Sequence, residues 1–326
     1  MNGKKIIKWL VVGSAAAILL SGCGGSTGMS ADSANAKGLA YLNGDGVSPD
    51  AAKAAELFLQ AAEAGHGEAM MNLSTCYLYG TGVEAHPEIA FGWIQKAADA
   101  GYPKARAYIS IFHIQGIGTP ENQEKAITLL QEESAAGNHH AMAILANYYE
   151  VGAGVPLDPA KAIELHRQAA NHGNVLSMYY LGRCYSKGIA GVAQNHETAV
   201  MWYRKAADAG SLEATGKLGA CYAMGTGVGK DVDKGLGLIR EAAEGGDADS
   251  MHNLGVCHER GIGVPEDPAE AVRWYRLGAE AGCPEAMYNL STCLANGKGV
   301  EKNPAEAELW RTKANESGTP LRGRNS

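Results

Sequence analysis

One segment of 36 residues recurs along almost the whole chain, and this repetition constrains the fold more than any other feature. Eight copies follow one another from residue 30 to residue 318, and 247–282 is a clear example. Only the copy at 174–210 differs in length, with one extra residue near Ala190. A fixed period of this size is typical of solenoids, in which each repeat is a small supersecondary unit that buries its apolar side against its neighbours.

Each copy predicts two helices joined by a turn. In 247–282, apolar residues at helical spacing predict a first helix over 249–260. Paired glycines then interrupt the helical pattern. Asp267 and Pro268 predict the start of the second helix, because Asp caps free amides and Pro has no amide to leave unpaired in the first turn. This helix is expected to end at Gly282.

Two further positions predict how the helices of a repeat pack together. The ninth residue of each copy is small, which allows close approach of the two helices. These small residues are Gly38, Ser74, Ser110, Ala146, Gly182, Gly219, Gly255 and Ser291. The second helix carries a large apolar residue that is expected to fill the space between helices. These large residues are Leu57, Trp93, Leu129, Leu165, Trp202, Leu238, Trp274 and Trp310.

The repeated pattern resembles the Sel1-like repeat, a relative of the tetratricopeptide repeat. It stands in this sequence as LSTCYLYGTGV…AFGWIQKAADAG at 73–101 and as LGVCHERGIGV…AVRWYRLGAEAG at 254–282. The resemblance covers about 30–318. It implies an all-α fold, an α/α solenoid of eight helix-turn-helix repeats wound as a right-handed superhelix. It also implies a protein that binds other proteins and performs no chemistry of its own.

The N-terminus has the features of an export signal. Three lysines precede an apolar run over 9–20, which is shorter than the ~20 residues needed to span a bilayer. The sequence LSGC at 20–23 resembles a bacterial lipobox, which implies removal of a signal peptide over 1–22 and lipidation of Cys23. The alternative is an ordinary signal peptide with an incidental cysteine. By the same resemblance, Gly24 favours an outer-membrane lipoprotein facing the periplasm.

The predicted domain organisation follows from these features. A small-residue tether is expected over 23–33, the solenoid over 34–318 and a disordered tail over 319–326. The chain has 35 acidic and 28 basic residues, and loss of the three signal lysines takes its net charge from −7 to −10. This acidic balance argues against a nucleic acid partner.

The cysteines are predicted to be buried thiols rather than disulfides. Five of them share the eleventh position of their copies, where equivalent helices would be roughly 8–10 Å apart and therefore beyond the ~7 Å Cα limit of a disulfide. These five are Cys76, Cys184, Cys221, Cys257 and Cys293. Cys283 lies at a repeat boundary, and its redox state stays open.

No motif predicts a catalytic, metal or cofactor site. The sequence has no HExxH and no phosphate-binding loop. His139 and His140 are adjacent and are expected to face different directions. His113 and His258 stand where other copies have Tyr, which favours a structural role. We therefore expect neither an enzyme nor a metalloprotein, although a hydrolase is the competing class.

The surface of the first helices is the predicted binding site. Positions 3, 7, 10 and 14 of each copy form a stripe opposite the core, on the side expected to be concave, and several members are apolar or aromatic. The alternative is that neighbouring repeats bury part of this stripe. The predicted partner-binding residues are Tyr79, Tyr108, Ile111, His140, Ile144, Tyr180 and Arg183, with Val151 and Leu176 beside them.

The resemblance implies three roles for a lipoprotein of this kind. One is an immunity protein that neutralises a lipase effector of type VI secretion in the periplasm. Another is a scaffold of an envelope secretion or polysaccharide-export complex, and the third is a periplasmic regulator of a sensor kinase. The sequence does not identify the partner.

Overall fold

The computed structural model describes residues 29–317, and within them it contains sixteen α-helices and no strand. The helices are α1 (Ala31–Asn43), α2 (Ala51–Glu63), α3 (Gly67–Tyr79), α4 (Pro87–Asp99), α5 (Pro103–Gln115), α6 (Gln123–Ala135), α7 (His139–Val151), α8 (Pro159–Asn171), α9 (Val175–Lys187), α10 (His196–Asp208), α11 (Leu212–Met224), α12 (Val232–Glu244), α13 (Ala248–Arg260), α14 (Pro268–Glu280), α15 (Pro284–Asn296) and α16 (Pro304–Glu316). The prediction of an all-α fold is confirmed.

The described residues form two compact units, 29–174 and 175–317. Each unit contains four helix pairs. Within a unit, every helix packs against the next helix in the chain, as expected of a solenoid in which repeats contact their neighbours. The predicted architecture of eight helix-turn-helix repeats is confirmed.

The helix ends follow the predicted capping residues. The Asp267 side chain accepts hydrogen bonds from the backbone amides of Ala269 and Glu270, both at 3.0 Å, and Pro268 begins α14. Gly261 ends α13 with φ of 64°, a conformation that costs other residues more than glycine. Gly282 follows α14 with φ of 94°. The turn chemistry that the sequence predicted therefore sets the boundaries of both helices.

The first repeat begins where the first copy was read, at residue 30, whereas the boundary between tether and solenoid was predicted at residue 34. Helix α1 begins at Ala31, and the hydroxyl of Ser30 accepts a hydrogen bond from the amide of Ser33. The solenoid was expected to start at residue 34, so the last residues of the predicted tether are helical. The reason is that Ser30 is an effective N-cap, a signal that small-residue composition conceals.

The small ninth position brings the helices of a repeat together as predicted. A Cβ at Gly255 would lie 2.6 Å from the ring of Tyr275, and one at Gly182 would lie 2.5 Å from the ring of Tyr203. Tyr275 is fully buried in this contact. The second-helix aromatic ring occupies the volume that a side chain on the first helix would otherwise need.

The large second-helix residues are less central than predicted. Trp202, Trp274 and Trp310 are buried together with Leu165, whereas Leu57, Trp93, Leu129 and Leu238 are only partly buried. In seven repeats, the residue that comes directly after this large residue is less exposed, because the second helix turns that side towards the first helix. These deeper residues are Phe58, Ile94, Leu130, His166, Tyr203, Ile239 and Tyr275.

The prediction of buried thiols is confirmed for four of the five eleventh-position cysteines, while Cys221 is half-buried. Burial raises the pKa of the Cys76 thiol to about 11. Cys283 is also a free, buried thiol, and its Sγ donates to Glu285 Oε2 at 3.5 Å. Cys23 lies outside the described residues. In 29–317, no helix is both long and apolar enough to cross a membrane.

Candidate protein-binding surface

The predicted stripe leaves an accessible surface on the first helices of the second, third and fourth repeats. We call this surface the repeat 2–4 surface and define it by Tyr79 on α3, Lys104 and Tyr108 on α5, and His140 and Val151 on α7. Tyr79 and Val151 are 49% and 57% exposed, and the other three residues are half-buried. Three predicted binding residues, Tyr79, Tyr108 and His140, therefore lie where a partner can reach them.

Two predicted binding residues belong to the core instead. Ile111 and Ile144 are only 7% and 4% exposed, because α5 and α7 pack directly against each other. Ala107 and Ala143 lie in the same core cluster and let the two helices approach. The alternative that neighbouring repeats bury part of the stripe is thus correct for both isoleucines.

A sequence signal for this burial exists at the sixth position of each copy. The third and fourth copies have Ala107 and Ala143 there, whereas the other six copies have Asn, Met, Tyr, Gly, His and Tyr in chain order. Two alanines in successive copies mark the place where adjacent first helices can meet. The predicted stripe should have been interrupted at this point.

Lys104, Tyr108 and His140 form a contiguous group on α5 and α7. Lys104 Nζ lies 5.8 Å from the centroid of the Tyr108 ring, and the Tyr108 and His140 rings meet edge to face with centroids 6.4 Å apart. The rings of His139 and His140 are 4.2 Å apart, so the prediction that these two histidines face different directions is wrong. The first turn of α7 therefore presents two imidazoles beside a tyrosine and a lysine.

The local environment keeps these imidazoles neutral near pH 7. Burial, together with His139 and Lys104, lowers the pKa of His140 to about 4. Burial and the charge of His172 lower the pKa of His139. Burial also raises the pKa of the Tyr108 hydroxyl to about 12. Lys104 is consequently the one formal positive charge of the group at neutral pH.

The corresponding surface of the second unit is polar, and several of its side chains contact one another. Tyr180 and Arg183, both predicted to bind a partner, are half-buried on α9, and the Arg183 guanidinium lies 6.0 Å from the centroid of the Tyr179 ring. Lys217 on α11 forms an ion pair with Asp249 on α13, with Nζ and Oδ2 2.8 Å apart. Polar groups here satisfy one another across the repeats.

Of the two histidines that replace tyrosine, His113 lies in the core and His258 is half-buried. His113 is buried, and its ring meets the edge of Phe91 with centroids 5.5 Å apart. Within residues 29–317, no group of three or more His, Cys, Asp or Glu side chains is placed to hold a metal ion. His113 therefore contributes to packing between helices.

Comparison with known proteins identifies the repeat. The model of the Sel1 repeat matches eight consecutive segments, each starting one residue later than the copies read from the sequence. They are 31–66, 67–102, 103–138, 139–174, 175–211, 212–247, 248–283 and 284–318. A search of curated proteins gave no match.

Similar solved structures share this architecture. A protective antigen of uropathogenic Escherichia coli with an SLR fold is 29% identical, with a TM-score of 0.56 over 98% of this chain and 65% of that protein. A Sel1 repeat protein from Oxalobacter formigenes is 27% identical, with a TM-score of 0.58 over 89% of this chain and 84% of that protein. An immunity protein from Pseudomonas aeruginosa is 22% identical, with a TM-score of 0.44 over 59% and 74%, and no role follows from that likeness.

The family assignment rests on the repeat model, the helix pairs and these structures together. The chain spans only about two thirds of the length of the Escherichia coli protein, so nothing about that whole protein transfers directly. Sel1 repeats typically build scaffolds for protein interactions. With matched segments that run from residue 31 to residue 318, the chain belongs to the Sel1 repeat family.

Proposed function

We propose that this protein binds a protein partner through the repeat 2–4 surface. The observation that carries this proposal is Tyr79, an aromatic residue that remains 49% exposed at the end of α3. Tyr108 and His140, whose rings contact each other, lie half-buried on the next two first helices. Tyrosine is enriched among residues that dominate binding energy, because its ring buries area while its hydroxyl can form a hydrogen bond.

A capture experiment with matched tyrosine variants tests this proposal. Tyr288 on α15 is 44% exposed, so Tyr288→Ala removes a similar ring from the other unit. The captured partner should bind Tyr79→Ala about tenfold or more weakly, as expected for loss of an interface tyrosine, and should bind Tyr288→Ala normally. Equal binding by both variants would remove the repeat 2–4 surface from the proposal.

We further propose that a lipid on Cys23 holds the protein at the bacterial envelope, facing the periplasm. The support is the export signal and the LSGC sequence that ends at Cys23. Acyl chains anchor a protein to a bilayer surface without a spanning helix. Metabolic labelling with palmitate should mark the wild-type protein and leave Cys23→Ala unlabelled, and the variant should leave the membrane fraction. Labelling of Cys23→Ala would contradict lipidation at this residue.

The finer proposal is an immunity role in which the partner is a periplasmic lipase effector of type VI secretion. A lipid anchor would hold the repeats near the membrane on which such a lipase acts. Expression of the wild-type protein should protect cells from the effector, and Tyr79→Ala should protect them less than Tyr288→Ala. If the captured partner belongs instead to a secretion or polysaccharide-export complex, the scaffold role replaces the immunity role.

A further inference from the structure

The first turns of the paired helices α5 and α7 carry one lysine and two neutral histidines in an acidic protein. Lys104, His139 and His140 lie in the first turns of these two helices. The sequences of α5 and α7 contain a single carboxylate, Glu150. It is ten residues from His140 along α7, about 15 Å at the rise of an α-helix. The chain as a whole has seven more acidic than basic residues, so this group stands out from its surroundings.

Nearby carboxylates have other partners. Glu133 on α6 pairs with Arg106 at 2.7 Å and also accepts from Asn138 Nδ2 at 2.9 Å. Glu68 on α3 accepts from Asn35 Nδ2 at 3.4 Å, on the side of the first repeat. Among the described residues, no carboxylate oxygen lies within 4.0 Å of Lys104 Nζ.

The second unit shows the paired alternative. Lys217 also lies on a first helix, but Asp249 from the next first helix neutralises it at 2.8 Å. On α5 and α7, Tyr108 and His140 stand at the positions of Lys217 and Asp249, so α7 places an imidazole near Lys104 and no carboxylate. The counter-charge that the protein itself supplies to Lys217 is missing on α5 and α7.

The support beneath Lys104 is rigid. Ala107 and Ile111 of α5 pack with Ala143 and Ile144 of α7 in one buried cluster. Direct packing holds the two helices together and fixes the separation of the side chains above them. A preorganised surface loses little conformational entropy when a ligand binds.

We propose that Lys104, Tyr108, His139 and His140 bind an acidic segment of the protein partner. A carboxylate of the partner pairs with Lys104, as Asp249 pairs with Lys217 within the second unit. The Tyr108 ring and the two imidazoles line the rest of the site. This inference rests on the proposed function, because it names the chemical class of the partner segment bound at that surface.

An NMR titration of the full chain tests the site without the natural partner. The probe is an acetylated hexaglutamate peptide, with acetylated hexaglutamine as its uncharged counterpart. Hexaglutamate at millimolar concentration should shift the amide signals of Lys104, Tyr108, His139 and His140 in a saturable manner, and hexaglutamine should not. Lys104→Glu should weaken the interaction about tenfold, because an exposed attraction becomes a repulsion of similar size.

The matched control is Lys96→Glu. Lys96 is exposed on α4, where its Nζ lies 4.0 Å from the Trp93 ring centroid, and the variant changes the net charge by the same amount. Hexaglutamate should bind Lys96→Glu like the wild type, and thermal unfolding followed by circular dichroism should show that both variants fold. Equal loss in both variants, or shifts away from α5 and α7, would overturn the proposal.

Anionic lipid is the alternative occupant that the test must exclude. Sedimentation with phosphatidylglycerol vesicles that depends on Lys104, without saturable hexaglutamate binding, would overturn the acidic-segment proposal. The outcome is separable from that of the proposed function. If a captured partner depends on Tyr79 but hexaglutamate does not bind at Lys104, the protein-binding function stands and this inference fails.

Discussion

Tyr275 shows how a single residue position shapes the repeat. Its ring packs on Gly255 of the preceding helix, and its hydroxyl donates to Glu259 Oε2 at 2.8 Å. The apolar ring of Tyr275 is thus buried in a close contact, and its polar hydroxyl has a hydrogen-bond acceptor. The glycine is required here for space rather than for backbone conformation.

Gly255→Ala is therefore expected to destabilise the protein although alanine favours helix. The added Cβ would lie 2.6 Å from the buried Tyr275 ring, and overpacking costs about 1–3 kcal/mol. Gly237→Ala is the control, because Gly237 lies within α12 with no atom near its Cβ position. It should stabilise the protein by about 0.5–1 kcal/mol. Urea unfolding measures both, and a gain in stability for Gly255→Ala would contradict the packing account.

His166 predicts a pH dependence of stability. It occupies the core position held by Leu130 in the preceding repeat, and burial lowers its pKa to about 3. The unfolded chain, with a histidine pKa of about 6.5, binds more protons than the folded chain below that pH, so stability falls as the pH decreases from about 6.5 towards 3.

His166→Leu should remove this contribution. Relative to the variant, the wild type should lose about 1.4 kcal/mol of unfolding free energy for each pH unit below about 6.5. Urea unfolding of both proteins between pH 7 and pH 5 provides the comparison. Parallel pH profiles for the two proteins would show that His166 titrates normally.

At the residue scale, the sequence predicted the packing positions better than the surface. The small ninth position is visible because it recurs in every copy. The sequence placed Ile111 and Ile144 on the surface because positions 7 and 10 belong to the stripe predicted to lie opposite the core. Their burial depends on Ala107 and Ala143, and only the combination of these alanines in adjacent copies indicates it.

At the scale of the elements, α6 differs from every other second helix. Its buried Glu133 stands where the other repeats have a buried Ala or Gly. Arg106 on α5 and Asn138, the N-cap residue of α7, bind its two carboxylate oxygens. One carboxylate therefore connects three successive helices.

This contact predicts unequal effects of removing its two partners. Arg106→Ala would leave the Glu133 carboxylate, whose side chain is only 7% exposed, without its cation, at a cost of about 3 kcal/mol. Glu133→Ala restores the residue type of the other repeats and leaves Arg106, whose side chain is 50% exposed, in contact with water. It should cost clearly less. Urea unfolding measures the free energy of unfolding of both variants. A larger loss of stability for Glu133→Ala than for Arg106→Ala would contradict this account of the contact.

The elements themselves were largely predictable. Asp267, Pro268 and the paired glycines specify the ends of α13 and α14 through local hydrogen bonds, which the sequence displays directly. The side of each second helix that faces the first helix was not predictable in the same way. Both Trp274 and Tyr275 are large and apolar, and tertiary packing decides that Tyr275 lies deeper.

For the whole molecule, the repetition that makes the fold predictable also conceals the function. Core positions recur because every repeat must bury the same side, so eight copies give one strong signal. The repeat 2–4 surface is made of residues that differ from copy to copy, and their role depends on a partner that the chain does not contain. The fold therefore follows from the sequence, whereas the partner needs an experiment.

The most direct test of partner binding is photo-crosslinking in living cells. A photoreactive amino acid in place of Tyr79 should crosslink the protein to a partner, while the same residue in place of Tyr288 should not, because only the first position lies on the repeat 2–4 surface. Crosslinks from both positions, from Tyr288 alone or from neither would contradict the central claim that this surface binds a protein.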